Sequence, residues 1–342
     1  MCNSLGGLGV SAVRKLRMQI FHKLADIPAG FGPAFVSVGN FDGVHRAHRH
    51  VIDELVRRAQ AAKGFSVAVT FEPHPVRILR PDHVFKLLTP TPEKLRLLAT
   101  TGLDAVLLLP FTRDLSLMTP HQFAHDILKK HLHAREVHEG YNFHFGHKAA
   151  GTIQVLRDLG QEMGFVVHDY PEMRLRGEHV SSSHIRKLLS EGRVSRARHL
   201  LGRPFSILST PGRGRGYGSK YTVPTINLVR YEELAPKDGV YITRIRIGSG
   251  DASECFDAVT NVGNRPTFGA DSFAIESHLL NFHPIVLTAD TQVELHFLQR
   301  LRDEIRFPSI DALRTQIGLD VGKAERYFRL LQTRMKNSQT KD

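Results

Sequence analysis

The stretch FVSVGNFDGVHRAHRHVI, residues 35–52, decides how this chain is read. Phe35, Val36 and Val38 make a short apolar strand, which Gly39-Asn40-Phe41-Asp42-Gly43 breaks. Past the break Ile52, Leu55, Val56 and Ala59 recur at the helical period, so the break is a strand-to-helix turn. Such a turn aims backbone N–H groups and a positive helix end at an anion above the strand. His45 and His48, in the first helical turn, add polar hydrogens that can follow phosphate charge through a reaction. A histidine pair alone reads as a solvated cap. Strand, FDG turn and paired histidines together point to a nucleotide triphosphate site.

Working outward, 342 residues are enough for two domains, and 41% apolar with 23% charged residues is ordinary for a globular protein. The formal net charge of +12 calls for an anionic partner, either phosphorylated small molecules or nucleic acid. The basic residues are scattered and Trp is absent, which argues against a nucleic-acid platform. Cys2 and Cys255 are the only cysteines, too few for a disulfide framework or a cysteine-built zinc site. No apolar run is long enough to span a bilayer, and no secretory leader opens the chain. Residues 1–17 have no periodicity and are expected to form an unstructured extension.

Residues 66–71 (SVAVTF) form a buried strand that runs into Glu72-Pro73-His74-Pro75, a loop stiffened by its prolines. Helices follow over 93–100 and 120–132, with strands at 104–109 and 136–138. Residues 140–146 (GYNFHFG) suggest a loop that closes over a planar ligand, or else a turn with core aromatics. Strands alternating with helices over 36–169 imply a doubly wound α/β domain, its parallel sheet covered on both faces. In 180–192 (VSSSHIRKLLSEG), Ser181 and Ser182 cap a helix. With Arg186 one turn on, they could also grip phosphates.

Gly202-Arg203-Pro204 marks the expected domain boundary. From residue 205 the pattern becomes strand, turn, strand, as in an antiparallel β-barrel or sandwich, and helical spacing returns only over 309–331. Residues 212–220 (GRGRGYGSK) match neither G-x-G-x-x-G nor a Walker A loop. They make a cationic loop that could wrap phosphates or simply link two strands. In VPTINL (223–228), Thr225 and Asn227 stand two apart and face the same side of a strand.

Together these stretches resemble the bacterial bifunctional riboflavin kinase/FMN adenylyltransferase family, also called FAD synthetase. GNFDGVHRAH is similar to its nucleotidylyltransferase signature, H-x-G-H, with Ala47 in the glycine place. EPHP and GYNFHFG resemble its second and third motifs, the former expected to border the flavin and nucleotide pocket. VSSSHIR resembles S-S-T-x-I-R, with His184 where Arg is common. PTIN resembles the P-T-A-N of riboflavin kinases, and DGVY (238–241), NVGNRPT (261–267) and IESHLL (275–280) follow in the kinase order.

The resemblance implies an FMN adenylyltransferase domain over 18–203 and a riboflavin kinase β-barrel with a C-terminal helix over 204–342. It makes Glu276 the base for phosphorylation and gives His45, His48 and Arg186 to adenylylation. Nucleotide or flavin binding falls to Gly39, Asn40, Phe41, Asp42, Asn142, Ser181, Ser182, Gly216, Gly218 and Lys220. Thr225 and Asn227 are expected to hold the Mg²⁺ of MgATP. The implied partners are riboflavin, FMN, FAD and ATP in the cytoplasm, with no nucleic acid, membrane or obligate protein partner. The alternative is a kinase alone, with Ala47 and His184 weakening adenylylation.

Overall fold

The computed structural model describes residues 18–212, 225–229, 231–250, 253–264, 273–283, 285 and 287–339. Their contacts gather into two compact units that divide between His184 and Ile185.

In the first unit, strands β1 (Gln19–Phe21), β2 (Ala34–Val38), β3 (Phe65–Glu72), β4 (Ala105–Pro110), β5 (Ala134–Gly140) and β6 (Val166–Tyr170) form one sheet. Its order is β1-β4-β3-β2-β5-β6, and every pair is parallel. All five residues of β2 are buried, as a parallel strand covered on both faces requires. Val36 and Val38 face one core with Val67 and Leu107, while Phe35 faces the other with Ala68 and Val106.

Helix α1 (Arg46–Ala61) covers that second face with Ile52, Leu55 and Ala59. Fully burying side chains such as Ile52 and Leu55 is worth about 1.5–3 kcal/mol each, which holds the helix in place. The other connections carry α2 (Pro75–Leu79), α3 (Thr91–Ala99), α4 (Arg113–Leu117), α5 (Pro120–Gln122) and α6 (Ile153–Met163). α5 runs on into a π-helical stretch, Phe123–His131, where α-helical spacing was expected. A two-stranded hairpin, β7 (Arg174–Leu175) with β8 (Glu178–His179), completes the unit.

α7 (Ser182–Ser190) crosses the division and α8 (Val194–Leu201) lies beyond it. The boundary expected from sequence is at residue 203; the contacts divide between His184 and Ile185, and α8 packs on later strands of the chain. Ser195 Oγ of α8 donates to the Leu298 carbonyl of β14 at 3.1 Å, and on α7 the Leu189 carbonyl accepts the Lys237 N–H at 2.9 Å. Apolar periodicity marks a buried helix face without naming what buries it.

The second unit is built on β9 (Phe205–Ser209), β10 (Thr225–Asn227), β11 (Gly239–Ile247), β12 (Glu254–Asn264), β13 (Phe273–Leu279) and β14 (Val293–Arg302). They pair antiparallel in the order β10-β13-β12-β11-β14-β9, a curled six-strand half-barrel. A chain of buried hydroxyls, Thr243 to Thr260 at 2.7 Å and Thr260 to Ser277 at 2.8 Å, ties β11, β12 and β13 on one face. The C-terminal helix α9 (Ile310–Gln339) covers part of the other, where Ala324 and Phe328 meet Val240, Ile242, Val259 and Leu298. Arg302 Nε donates to the buried Asp320 carboxylate at 2.9 Å and fixes that helix to β14.

Candidate active sites

In the first unit the chain leaves β2 toward β3 on one side, while β5 pairs on the other, so strand order reverses between β2 and β5. Ligands of open α/β sheets collect at the carboxyl ends of strands flanking such a point. A cavity of about 410 Å³ lies there, lined by Ser37 and Val38 of β2 and by Glu139 and Gly140 of β5.

The turn after β2 is held in an uncommon shape. Phe41, Gly43 and Val44 have φ of 47°, 88° and 38°. Non-glycine residues hold such angles only where their surroundings over-determine them. Asp42, 2% exposed, supplies much of that restraint. Its carboxylate accepts the N–H groups of Leu88 and Thr89, both at 3.0 Å. Gly43 N–H donates to Thr89 Oγ1 at 2.7 Å, and Ser182 Oγ–H donates to the Asp42 carbonyl at 2.8 Å. Beneath, the buried Lys94 ammonium donates to Thr70 Oγ1 at 3.1 Å and to the Asn40 carbonyl at 3.4 Å.

With the turn fixed, His45 becomes the N-cap of α1, its Nδ1 accepting the His48 N–H at 3.4 Å. The two imidazoles stack with centroids 3.6 Å apart and planes 16° apart. Phe41 meets His48 edge-on at 5.3 Å.

Of the residues singled out from sequence, Gly39, Phe41, His45, His48, Asn142 and Ser181 line this cavity. Asn40, Asp42 and Ser182 are not among its lining residues and brace the turn. Arg186 sits one turn past Ser182 on α7, beyond the division between units. Ala47 lines the cavity as well. His184 N–H donates to Ser181 Oγ at 3.2 Å, and its ring turns to Glu178 at 3.0 Å. His74 of the EPHP run caps α2, its Nδ1 accepting Val76 N–H at 3.2 Å, and is not among the lining residues.

Glu139 and Tyr170 are among the lining residues that escaped the sequence. Glu139 is 3% exposed and accepts the Val38 N–H at 2.6 Å. Burial pushes its carboxyl well above the usual carboxylate range. Burial also pushes the Tyr170 hydroxyl up to about 12, with the Glu54 charge adding to the shift. The signal available was a glutamate within a short strand between helices, which does not say what it faces.

In the second unit, strand register does the assembling. Asn227 of β10 pairs with Glu276 of β13, and Glu276 with Asn261 of β12. Thr225 pairs with His278 one row along, so Thr225, Asn227, Glu276 and His278 share a face. The intervening Ile226, Ile275 and Ser277 are buried on the other. Burial lowers the His278 imidazole pKa. Gly216, Gly218 and Lys220 lie outside the described residues.

A parallel sheet with stacked histidines at its switch point, followed by a half-barrel that gathers Thr, Asn and Glu, defines a two-unit nucleotide-dependent transferase. Residues 29–184 match the FAD synthetase family model and residues 201–328 the riboflavin kinase model. A Haemophilus influenzae protein named bifunctional riboflavin kinase/FMN adenylyltransferase is 31% identical, covering 91% of this chain and 99% of its own. Proteins of the same name from Escherichia coli K12 and Pseudomonas fluorescens are each 32% identical, covering 86% and 90% of this chain. A solved structure titled as a macrolide-efflux protein from Streptococcus pneumoniae superposes with TM-score 0.80 at 25% identity, covering 91% of this chain. No helix among the described residues is long and apolar enough to cross a membrane. The chain belongs to the bifunctional riboflavin kinase/FMN adenylyltransferase family.

Proposed function

We propose that the second unit phosphorylates riboflavin to FMN with ATP and that the first adenylylates FMN to FAD. The observation that carries this is the matching of both family models, in order, to consecutive stretches of one chain. Nothing in either unit favours a kinase alone.

For phosphorylation, Glu276 takes the proton of the riboflavin 5′-hydroxyl as that oxygen bonds to the γ-phosphorus and ADP leaves. Proton removal by a positioned side chain contributes about 10²–10⁴-fold. The remainder is positioning and charge stabilisation. Both families use ATP with a divalent metal, and the donor set here fits one. Thr225 and Asn227 offer hard oxygens two residues apart on one face, beside Glu276. Those two residues would hold Mg²⁺, which supplies charge neutralisation on the triphosphate when bound.

For adenylylation, an FMN phosphate oxygen attacks the α-phosphorus of ATP, and the bond to pyrophosphate breaks. His45 and His48 face the cavity where that phosphate would sit and donate to its developing charge. Asn142 and Ser181 position the nucleotide from the facing loops. The setting proposed is the cytoplasm, with no nucleic-acid or obligate protein partner.

The test is purified protein with riboflavin and MgATP, the flavins then being separated. FMN and FAD should both form. Glu276→Ala should slow FMN formation by about 10²–10⁴-fold while FMN-to-FAD conversion persists. Loss of both steps in well-folded Glu276→Ala protein would sink this division of labour.

A further inference from the structure

Three metal-ligating side chains meet where β5 and β6 pair. Glu136 and His138 stand two apart on β5 and share a face. His168 on β6 pairs directly with His138. Glu136 pairs with Phe35, which packs against α1, so this is the face that α1 covers. His138 Nε2 lies 3.2 Å from Glu136 Oε2, and His168 Nε2 lies 3.1 Å from the same oxygen. The second approach is not a hydrogen bond, because His168 Nε2 is buried and makes none. The three ligand atoms fall within 4.8 Å of one another, the one such group among the described residues.

We propose that Glu136, His138 and His168 form a zinc-class site, taking a divalent transition cation through Glu136 Oε2 and the two Nε2 atoms. Tetrahedral Zn²⁺ with bonds of about 2.0–2.2 Å places neighbouring donor atoms about 3.3 Å apart, close to the two nitrogen–oxygen spacings found. The support around the ligands is of the kind metal sites use. His138 Nδ1 lies 2.7 Å from Tyr170 Oη. With Nδ1–H donating there, Nε2 presents its lone pair. The ligands stand on paired strands of the sheet, so their spacing is set by the backbone ladder.

Arg58 is the competitor. Its Nε lies 2.5 Å from Glu136 Oε2 and its Nη2 3.1 Å from Oε1. Its charge opposes a second cation and lowers affinity, yet Oε1 can keep the guanidinium while Oε2 takes the ion. Entry is open through His168, whose side chain is 30% exposed. It lines a surface cavity of about 360 Å³ together with His50, Glu54 and Asp169. His50 and Tyr170 line both this cavity and the adenylyl cavity, so a bound ion would steady a shared wall. Two imidazoles and one carboxylate favour Zn²⁺ or Co²⁺ over Mg²⁺, which prefers oxygen donors. The site is therefore chemically distinct from that of MgATP.

The test titrates untagged full-length protein with Co²⁺ and then Zn²⁺. One equivalent of Co²⁺ should bind with visible ligand-field bands that Zn²⁺ abolishes and excess Mg²⁺ does not. Glu136→Gln and His168→Ala should each weaken Co²⁺ binding by at least about tenfold, while circular dichroism and thermal melting report that the unit carrying them is folded. X-ray absorption on Zn²⁺-loaded wild type should count two imidazoles, and it decides the matter if a variant fails to fold. Absence of saturable binding, a Co²⁺ spectrum unchanged in both variants, or a shell without two imidazoles would overturn the proposal.

Discussion

Glu139 lines the cavity at the β2–β5 switch point with a single backbone donor, Val38 N–H, on its carboxyl. One hydrogen bond does not offset the loss of water around a full charge. Its folded pKa is raised above the unfolded 4.5, so the folded state binds the proton more tightly. Stability is therefore fully present below about pH 4.5 and declines as pH rises toward the folded pKa. Glu139→Gln keeps an acceptor for Val38 and removes the ionisation. The variant should melt with wild type at pH 4 and above it at pH 8. Parallel melting curves across that range would count against a neutral Glu139.

At the scale of elements, the β2–α1 turn depends on a segment more than forty residues away. Asp42 binds the N–H groups of Leu88 and Thr89, and Thr89 Oγ1 accepts from Gly43. Asp42→Ala leaves two buried donors without their acceptor, at a cost of about 2–4 kcal/mol. The melting point should fall, and FAD formation should drop more than FMN formation, because the histidine-bearing turn relaxes while the half-barrel is untouched. Equal loss of both activities at a temperature where the protein is folded would show that the brace acts otherwise. In sequence, Asp42 sits among turn residues that point at a ligand. The fold turns the carboxylate inward, where two backbone donors need it.

For the whole molecule, two compact units with separate candidate sites predict separable chemistry. His48→Ala should make FMN but stall before FAD, losing about 10²–10⁴-fold in the second step. Mixed with Glu276→Ala protein, it should convert riboflavin to FAD again, because FMN released by one chain serves the other. A mixture that accumulates FMN and never forms FAD would mean that the intermediate does not leave its chain.

The alternation of strand and helix, the βα turn with its histidines and the switch to antiparallel strands after residue 205 were legible because each is a local matter. Period, turn residues and capping act within a dozen positions, and residues 35–52 carry all three. Which faces and edges meet was not local. Strand order set β5 beside β2 and brought Glu139 into the cavity, and register set Glu276 against Asn227 and His168 against His138. Packing gave α8 to the half-barrel although its own periodicity names no partner. The sequence by itself determined the elements and most of the chemical groups. Only tertiary structure decided their company, because burial and pairing between distant segments are settled by the whole core at once.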